Sequence, residues 1–249
     1  MRKLLNIDAN AKTVKGQAQG YMTAVLYLAP YKSAGLANIC PMAETAGCVS
    51  GCLNTAGRGG MSKGNVTRAD NGLPDNTIQA ARIAKTRALY ANQSAFIARL
   101  AKEIKAFIAK AQRKGLIPVV RLNGTSDLRW ESMPHGQYAN LFEAFPDVQF
   151  YDYTKIPNRK VQGIANYHLS YSYSARPDYQ KYVGQVMENQ PATNIVIVFR
   201  SKDLPSTFLG REVINGDETD LRFTDKAGVV VGLYAKGRAR KDTSGFVVG

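Results

Sequence analysis

The sequence predicts an α/β fold, a partial (β/α) barrel of about six to seven mostly parallel strands, and three observations predict it. Apolar, β-rich runs alternate with helical stretches along the chain. Each run is apolar at its start and polar at its C-terminal end, the pattern of a parallel sheet whose site lies at the strand C-termini. Six or seven such runs in 249 residues suit an incomplete barrel better than a full eight-fold one.

The elements follow in order. Tyr21-Met-Thr-Ala-Val-Leu-Tyr-Leu28 reads as a buried first strand that stops at Pro30. Helix starts after Pro74-Asp75-Asn76, with Asp75 or Asn76 as N-cap, and runs in two stretches to Lys114-Gly115. In the second stretch Phe96, Leu100, Ile104 and Ile108 recur every four residues, while Arg99, Lys102, Lys105 and Lys110 take other faces. Ile117-Pro-Val-Val-Arg-Leu122 is the second strand, and its polar end is Arg121-Leu-Asn-Gly-Thr-Ser-Asp127. A short helix over residues 137–145 leads to a third strand, Val148-Gln-Phe-Tyr-Asp-Tyr153. Tyr167-His-Leu-Ser-Tyr-Ser-Tyr173 alternates as a fourth, and after a helix near residues 179–189 comes Asn194-Ile-Val-Ile-Val-Phe199 as a fifth. Arg211-Glu-Val-Ile214 and Val229-Val-Val-Gly-Leu-Tyr234 complete the set. The connections after His168 are short enough for antiparallel pairing. With no tandem repeat or low-complexity linker, residues 1–249 read as one α/β domain, with 1–20 as an N-terminal extension and 40–60 as a ligand-binding loop.

Lysine and arginine number 33 against 19 acids, a net charge of +14, which points to nucleic acid or a nucleotide as partner. The basic residues are dispersed, with concentrations at Lys102 to Lys114 and Lys236 to Lys241. No apolar stretch is long enough for a membrane span or signal peptide, so the expected location is a reducing cytoplasm.

All three cysteines fall within Cys40-Pro-Met-Ala-Glu-Thr-Ala-Gly-Cys48-Val-Ser-Gly-Cys52. Thiols grouped in one loop and absent elsewhere point to a shared metal centre. A Cys48–Cys52 disulfide is the second reading, disfavoured in a reducing compartment, and inert buried thiols are the third. A closed zinc site needs a fourth ligand, His135 or His168, both distant in sequence. A [4Fe–4S] cluster can be held by three thiolates, with one iron left open, and that is the count present here.

If the barrel forms, the cysteine loop, Asn123 to Asp127, Asp152 to Lys155 and His168 to Ser172 face one cavity. Arg121 and Lys155 there can offset anionic charge. Each group also has a plainer role. Asn123-Gly124 can be a turn, Asp152 can pair with Lys155, and the tyrosines at 151, 153, 167, 171 and 173 suit sheet packing. His168 suits a hydrogen-bonded strand position, and Asp217 and Asp220, beside Gly216, suit a turn or a cation.

The segments Cys40-Pro-Met-Ala, Cys52-Leu-Asn-Thr-Ala-Gly-Arg58, Val120-Arg-Leu-Asn-Gly-Thr-Ser-Asp127, Phe150-Tyr-Asp-Tyr-Thr-Lys155 and Val230-Val-Gly-Leu-Tyr-Ala-Lys-Gly resemble the bacteriophage "gene product 88" domain family from about Tyr21 onward. That resemblance implies phage origin and work in the host cytoplasm. The cysteine loop after the first strand is also similar in placement to that of radical S-adenosylmethionine enzymes. Those enzymes space their cysteines by three and then two residues, and this chain by seven and then three. The second resemblance implies a [4Fe–4S] cluster on Cys40, Cys48 and Cys52, fed by an electron donor, that reductively cleaves S-adenosylmethionine to a hydrogen-abstracting 5′-deoxyadenosyl radical. It places the cofactor against Asn123, Gly124, Thr125 and Asp127, with Ser170 and Ser172 near its ribose or carboxylate. Two functions stand at this point: an enzyme of that type, and a non-catalytic cluster protein that binds nucleic acid or a host protein.

Overall fold

The computed structural model describes residues 3–8, 11–60 and 76–249. Nine strands form one mixed, mostly parallel sheet: β1 (Leu5–Ile7), β2 (Tyr21–Leu26), β3 (Ile117–Arg121), β4 (Gln149–Thr154), β5 (Tyr167–Ser172), β6 (Ile195–Phe199), β7 (Thr207–Phe208), β8 (Arg211–Asn215) and β9 (Val230–Tyr234). Their spatial order is β1-β2-β3-β4-β5-β6-β9-β8-β7. All pairings are parallel except the two outermost, β1 with β2 and β7 with β8. Beyond His168 the pairs β5–β6, β6–β9 and β8–β9 are parallel, and the expected antiparallel pairing occurs at β7–β8 alone. The segment before residue 21, set apart by the sequence as an extension, supplies the edge strand β1 and the short helix α1 (Ala11–Lys15).

Side-chain alternation gives the sheet two unlike faces. Met22, Ala24, Leu26, Val120, Leu122, Phe150 and Tyr167 point into the main core, and Tyr171, Ile195, Ile197 and Val230 into the adjoining one. Helices α2 (Thr77–Ala91), α3 (Gln93–Arg113), α4 (Leu141–Ala144) and α5 (Pro177–Asn189) cover this face. In α3 Phe96, Leu100 and Ile104 are buried as the periodicity predicts, Ile108 is partly buried at the margin, and Ile97 and Phe107 widen the stripe, each buried side chain contributing roughly 1.5–3 kcal/mol. Asn92 separates α2 from α3: its extended backbone ends one helix, and its Oδ1 accepts the Ala95 N–H at 2.9 Å to start the next. Asn76 caps α2 by accepting from Ile78 and Gln79, while Asp75 lies outside the described residues. The expected helix over 137–145 shrinks to α4, because residues 135 and 138 bridge as a turn and Asn140 caps only at Glu143.

The opposite face carries Tyr21, Val119, Tyr151, Tyr153, Val196 and Val231. It is closed by the segment between β8 and β9, through Leu221 and Phe223, whose ring stands edge-on to Tyr21 at 5.3 Å. A buried polar knot lies beneath that cover. Asp220 accepts from the Arg121 guanidinium at 3.2 Å, the Tyr151 hydroxyl at 3.3 Å and the Tyr153 hydroxyl at 3.2 Å, and Arg121 stacks over the Tyr153 ring. Asp220 is thus the internal counter-ion of Arg121. Among the described residues no helix is long and apolar enough to cross a membrane.

Candidate functional site

The cysteine loop follows β2 and rests on the C-terminal ends of the parallel strands. The Asp127 N–H, beyond β3, donates to the Ile39 carbonyl at 3.0 Å, and the Cys40 thiol contacts the Thr125 carbonyl at 3.9 Å. Beyond β5, the Ser174 hydroxyl donates to Ala46 O at 2.8 Å, and from far downstream the Ser244 hydroxyl donates to Gly47 O at 2.9 Å. Gly47 has a left-handed backbone, and a Cβ there would come within 2.7 Å of the Ser244 Oγ and the Arg176 side chain. The loop is therefore clamped between β3, β5 and the segment after β9.

All three thiols are free and partly buried, and they lie close enough for Cys40 and Cys52 to feel their neighbours' charge. Burial pushes the Cys40 thiol up to about 12 and the Cys52 thiol up to about 11, and it raises Cys48 as well. Opposing this are two backbone donors, Tyr31 N–H to Cys40 Sγ at 3.4 Å and Asn54 N–H to Cys52 Sγ at 3.5 Å, and two cations. Lys155 favours the thiolate of Cys48, and Arg82 that of Cys52. Among the described residues the Arg82 Nε is buried without a hydrogen-bond partner, while its Nη1 donates to the Asn54 carbonyl and side chain. Soft sulfur donors, N–H groups aimed at them and nearby cations suit a thiolate-held centre. Among the described residues no three His, Cys, Asp or Glu side chains converge on a point that could hold a single metal ion. Neither histidine is placed to complete a zinc set: His135 bridges to Tyr138, and His168 sits by Ser170 under the influence of Arg222.

The residues singled out for a cofactor fall into two groups. Asn123 to Asp127 form the shelf under Cys40. The Asn123 Oδ1 accepts from Ser126 Oγ, Leu128 N and Trp130 Nε1, and its Nδ2 donates to Leu128 O at 3.0 Å, so this side chain holds the shelf together. Gly124 packs against the end of β2 and donates to Leu26 O, while the Thr125 hydroxyl donates to Leu28 O at 2.5 Å. Asp127 accepts from Thr154 Oγ1 and Lys155 N, each at 2.8 Å, and burial raises its carboxyl despite these bonds and the nearby Arg159. Ser170 and Ser172 share the other face of β5. Ser170 meets His168 Nε2 at 3.3 Å, and Ser172 accepts from Lys155 Nζ at 2.9 Å.

Asp152 and Lys155 do not pair, since they leave β4 on opposite sides. Lys155 turns toward Cys48, held by Ser172 and the Tyr173 carbonyl and lying over the Phe246 ring. Asp152 accepts from the Asn123 N–H at 2.8 Å and the Tyr167 hydroxyl at 3.2 Å, with Arg121 at 3.8 Å. Burial pushes its carboxyl up to about 7, Arg121 and the Asn123 amide offsetting only part of that rise. Its native value thus lies above the ordinary 3.8, the folded protein holds the proton more tightly, and its stabilising contribution is full below about pH 4 and lost as pH rises through 7. The expected result is that the Asp152→Asn variant gains stability relative to the parent between pH 4 and 7.5 by on the order of a few kcal/mol, read from urea unfolding at each pH. A parent-minus-variant difference that stays flat with pH would rule this out.

The sequence missed Ser174, Ser244 and Arg82. Each reaches the loop from a segment with no motif of its own, and only the fold brings them there.

No curated protein matches the chain significantly, and no solved structure does. A family match covers residues 3–249, and by it the chain belongs to the Gene product 88 family.

Proposed function

We propose that this protein, phage-encoded and working in the host cytoplasm, holds a [4Fe–4S] cluster through Cys40, Cys48 and Cys52 at the mouth of a partial (β/α) barrel, in the manner of radical S-adenosylmethionine enzymes. One observation carries the reading. Three free, half-buried thiols share a clamped loop at the C-terminal ends of parallel strands, with N–H donors on two of the sulfurs and two cations near enough to favour their thiolates. In a cluster each thiolate binds a different iron, so the thiols need to ring a common space rather than converge on one point. The strand order from β2 to β6, each strand beside its successor, supports the barrel reading.

When bound, such a cluster supplies single electrons at low potential. The chain's own residues would hold and shield it. Lys155 and Arg82 offset thiolate charge, the Tyr31 and Asn54 N–H groups tune two sulfurs, and the shelf from Asn123 to Asp127 fixes Cys40 against Thr125.

A second reading, a cluster protein without cleavage activity, draws on a specific observation. The side chains of Asn123, Asp127, Ser170 and Ser172 are already bonded within the protein, which leaves mainly backbone groups there to receive a cofactor.

The test is anaerobic reconstitution with iron and sulfide quantified. About four of each per chain are expected, with brown colour. Formation of 5′-deoxyadenosine from S-adenosylmethionine on reduction supports the enzyme, and its absence from a fully loaded, reduced protein leaves the second reading. Substoichiometric iron without sulfide would sink both.

A further inference from the structure

At the ends of β8 and β9 lies a pocket of about 420 Å³ whose walls include Lys15, Lys202 and Lys236 with Asp217, Tyr234 and Leu204. The three lysines come from separate parts of the chain: the end of α1, the loop after β6 and the residues after β9. Asp217 is the one carboxylate among the described lining residues. It pairs with Lys236 at 2.7 Å and accepts the Tyr234 N–H at 2.8 Å. Neither Lys15 nor Lys202 has a carboxylate partner among the described residues, so the pocket keeps a surplus of about two positive charges that its own walls do not offset. The exposed Glu218 carboxylate beside the pocket accepts from the neutral Asn215 amide, keeps its charge and lowers the local surplus to about one.

The Tyr234 ring organises this charge. Lys202 Nζ lies 5.5 Å from its centroid and the Arg240 guanidinium 5.4 Å, so the aromatic ring keeps two like charges near one another at the pocket edge. Arg238, Arg240 and Lys241 extend the positive surface along the exposed turn Gly237–Lys241. That turn packs on the cysteine loop, with Ala239 against Gly51 and Gly237 against Ala56.

Several lysines around a cavity make point charges that suit phosphate oxygens, whereas planar carboxylates favour the arginine fork. The volume lies in the range of small-ligand sites and exceeds what one inorganic phosphate fills. Leu204 gives an apolar wall for a sugar or base, and the basic turn gives room for further phosphates.

We propose that this pocket binds the phosphate groups of a nucleotide, free or within a single nucleic-acid strand. The reading rests on the charge and shape of the pocket and not on a cluster at the thiols.

The test uses the full chain and fluorescence anisotropy of a labelled single-stranded oligonucleotide at fixed salt, with ATP as competitor. The Lys15→Gln/Lys202→Gln double variant is expected to bind about tenfold more weakly and to show a salt dependence shallower by one to two phosphate contacts. Lys102→Gln/Lys105→Gln on α3 removes the same charge elsewhere and is expected to change binding less than about twofold. Displacement of the strand by ATP assigns the pocket to free nucleotides as well, and strand binding that ATP leaves intact assigns it to nucleic acid. Both support the proposal. Equal weakening in the two double variants, or no binding of either ligand below about 100 µM, overturns it. The same titration on Cys40→Ala/Cys48→Ala/Cys52→Ala is expected to match the parent, which separates failure here from failure of the cluster.

Discussion

Replacing any one of Cys40, Cys48 and Cys52 by alanine is expected to abolish iron retention while leaving the fold in place. The chain has three cysteines and no spare, and among the described residues no three His, Cys, Asp or Glu side chains are placed to hold a metal ion in their stead. A cluster left with two thiolates exposes two irons to solvent and is lost. The fold should survive, because each thiol is only partly buried and its removal costs on the order of 1 kcal/mol of apolar contact. The measurement is iron and sulfide per chain after anaerobic reconstitution, beside circular dichroism of the same samples. Full iron and sulfide in any single variant would mean that the three-thiolate reading is wrong. In the parent, a chelator should lower the thermal midpoint toward that of the variants, because metal bound only by the native state adds to its stability.

The second large effect is steric. A Cβ on Gly124 would lie 2.7 Å from Tyr27 Cδ1 and Val25 Cγ1 and 2.8 Å from the Leu26 carbonyl oxygen. The two side chains can yield, but that carbonyl accepts the Gly124 N–H at 3.0 Å and ties the ends of β2 and β3 together. Gly124→Ala therefore has to part the strands or break the bond, and a loss of about 3 kcal/mol is expected from urea unfolding. Gly184→Ala is the contrasting case. Nothing lies within 4 Å of the added Cβ, and the site is inside α5, so that variant should gain about 0.5–1 kcal/mol. A Gly124→Ala variant within about 0.5 kcal/mol of the parent would contradict the close approach.

Periodicity and composition made most of the sheet legible. The seven strands read from the sequence are all present: six carry buried apolar residues, β8 is the more exposed exception, and the α3 stripe was visible from its spacing. The edges were not legible. β1 has three residues and β7 two, too short for alternation to register, and both are antiparallel partners whose pairing depends on the neighbouring strand. The face opposite the helices was hidden for a different reason. Arg121 meets Asp220 across 99 residues, and no local signal links a strand end to a turn so far along the chain. Gly216 beside Asp217 and Asp220 suggested first a turn and then a cation site; Gly216 and Asp217 do form a turn, while Asp220 neutralises Arg121 and Asp217 pairs with Lys236. At the thiols, the sequence displayed the donor atoms and their number. It could not display Arg82 or Ser244, which approach from elsewhere.

The clamp on the cysteine loop also has a consequence in time. Gly47 is secured by Ser244, which is synthesised 197 residues later. At about 5–20 residues per second, the loop waits roughly 10–40 s on the ribosome before that wall is made. Throughout that interval the loop lacks that wall. A centre of the proposed kind would enter before the Ser244 contact forms, and the contact would then close over it.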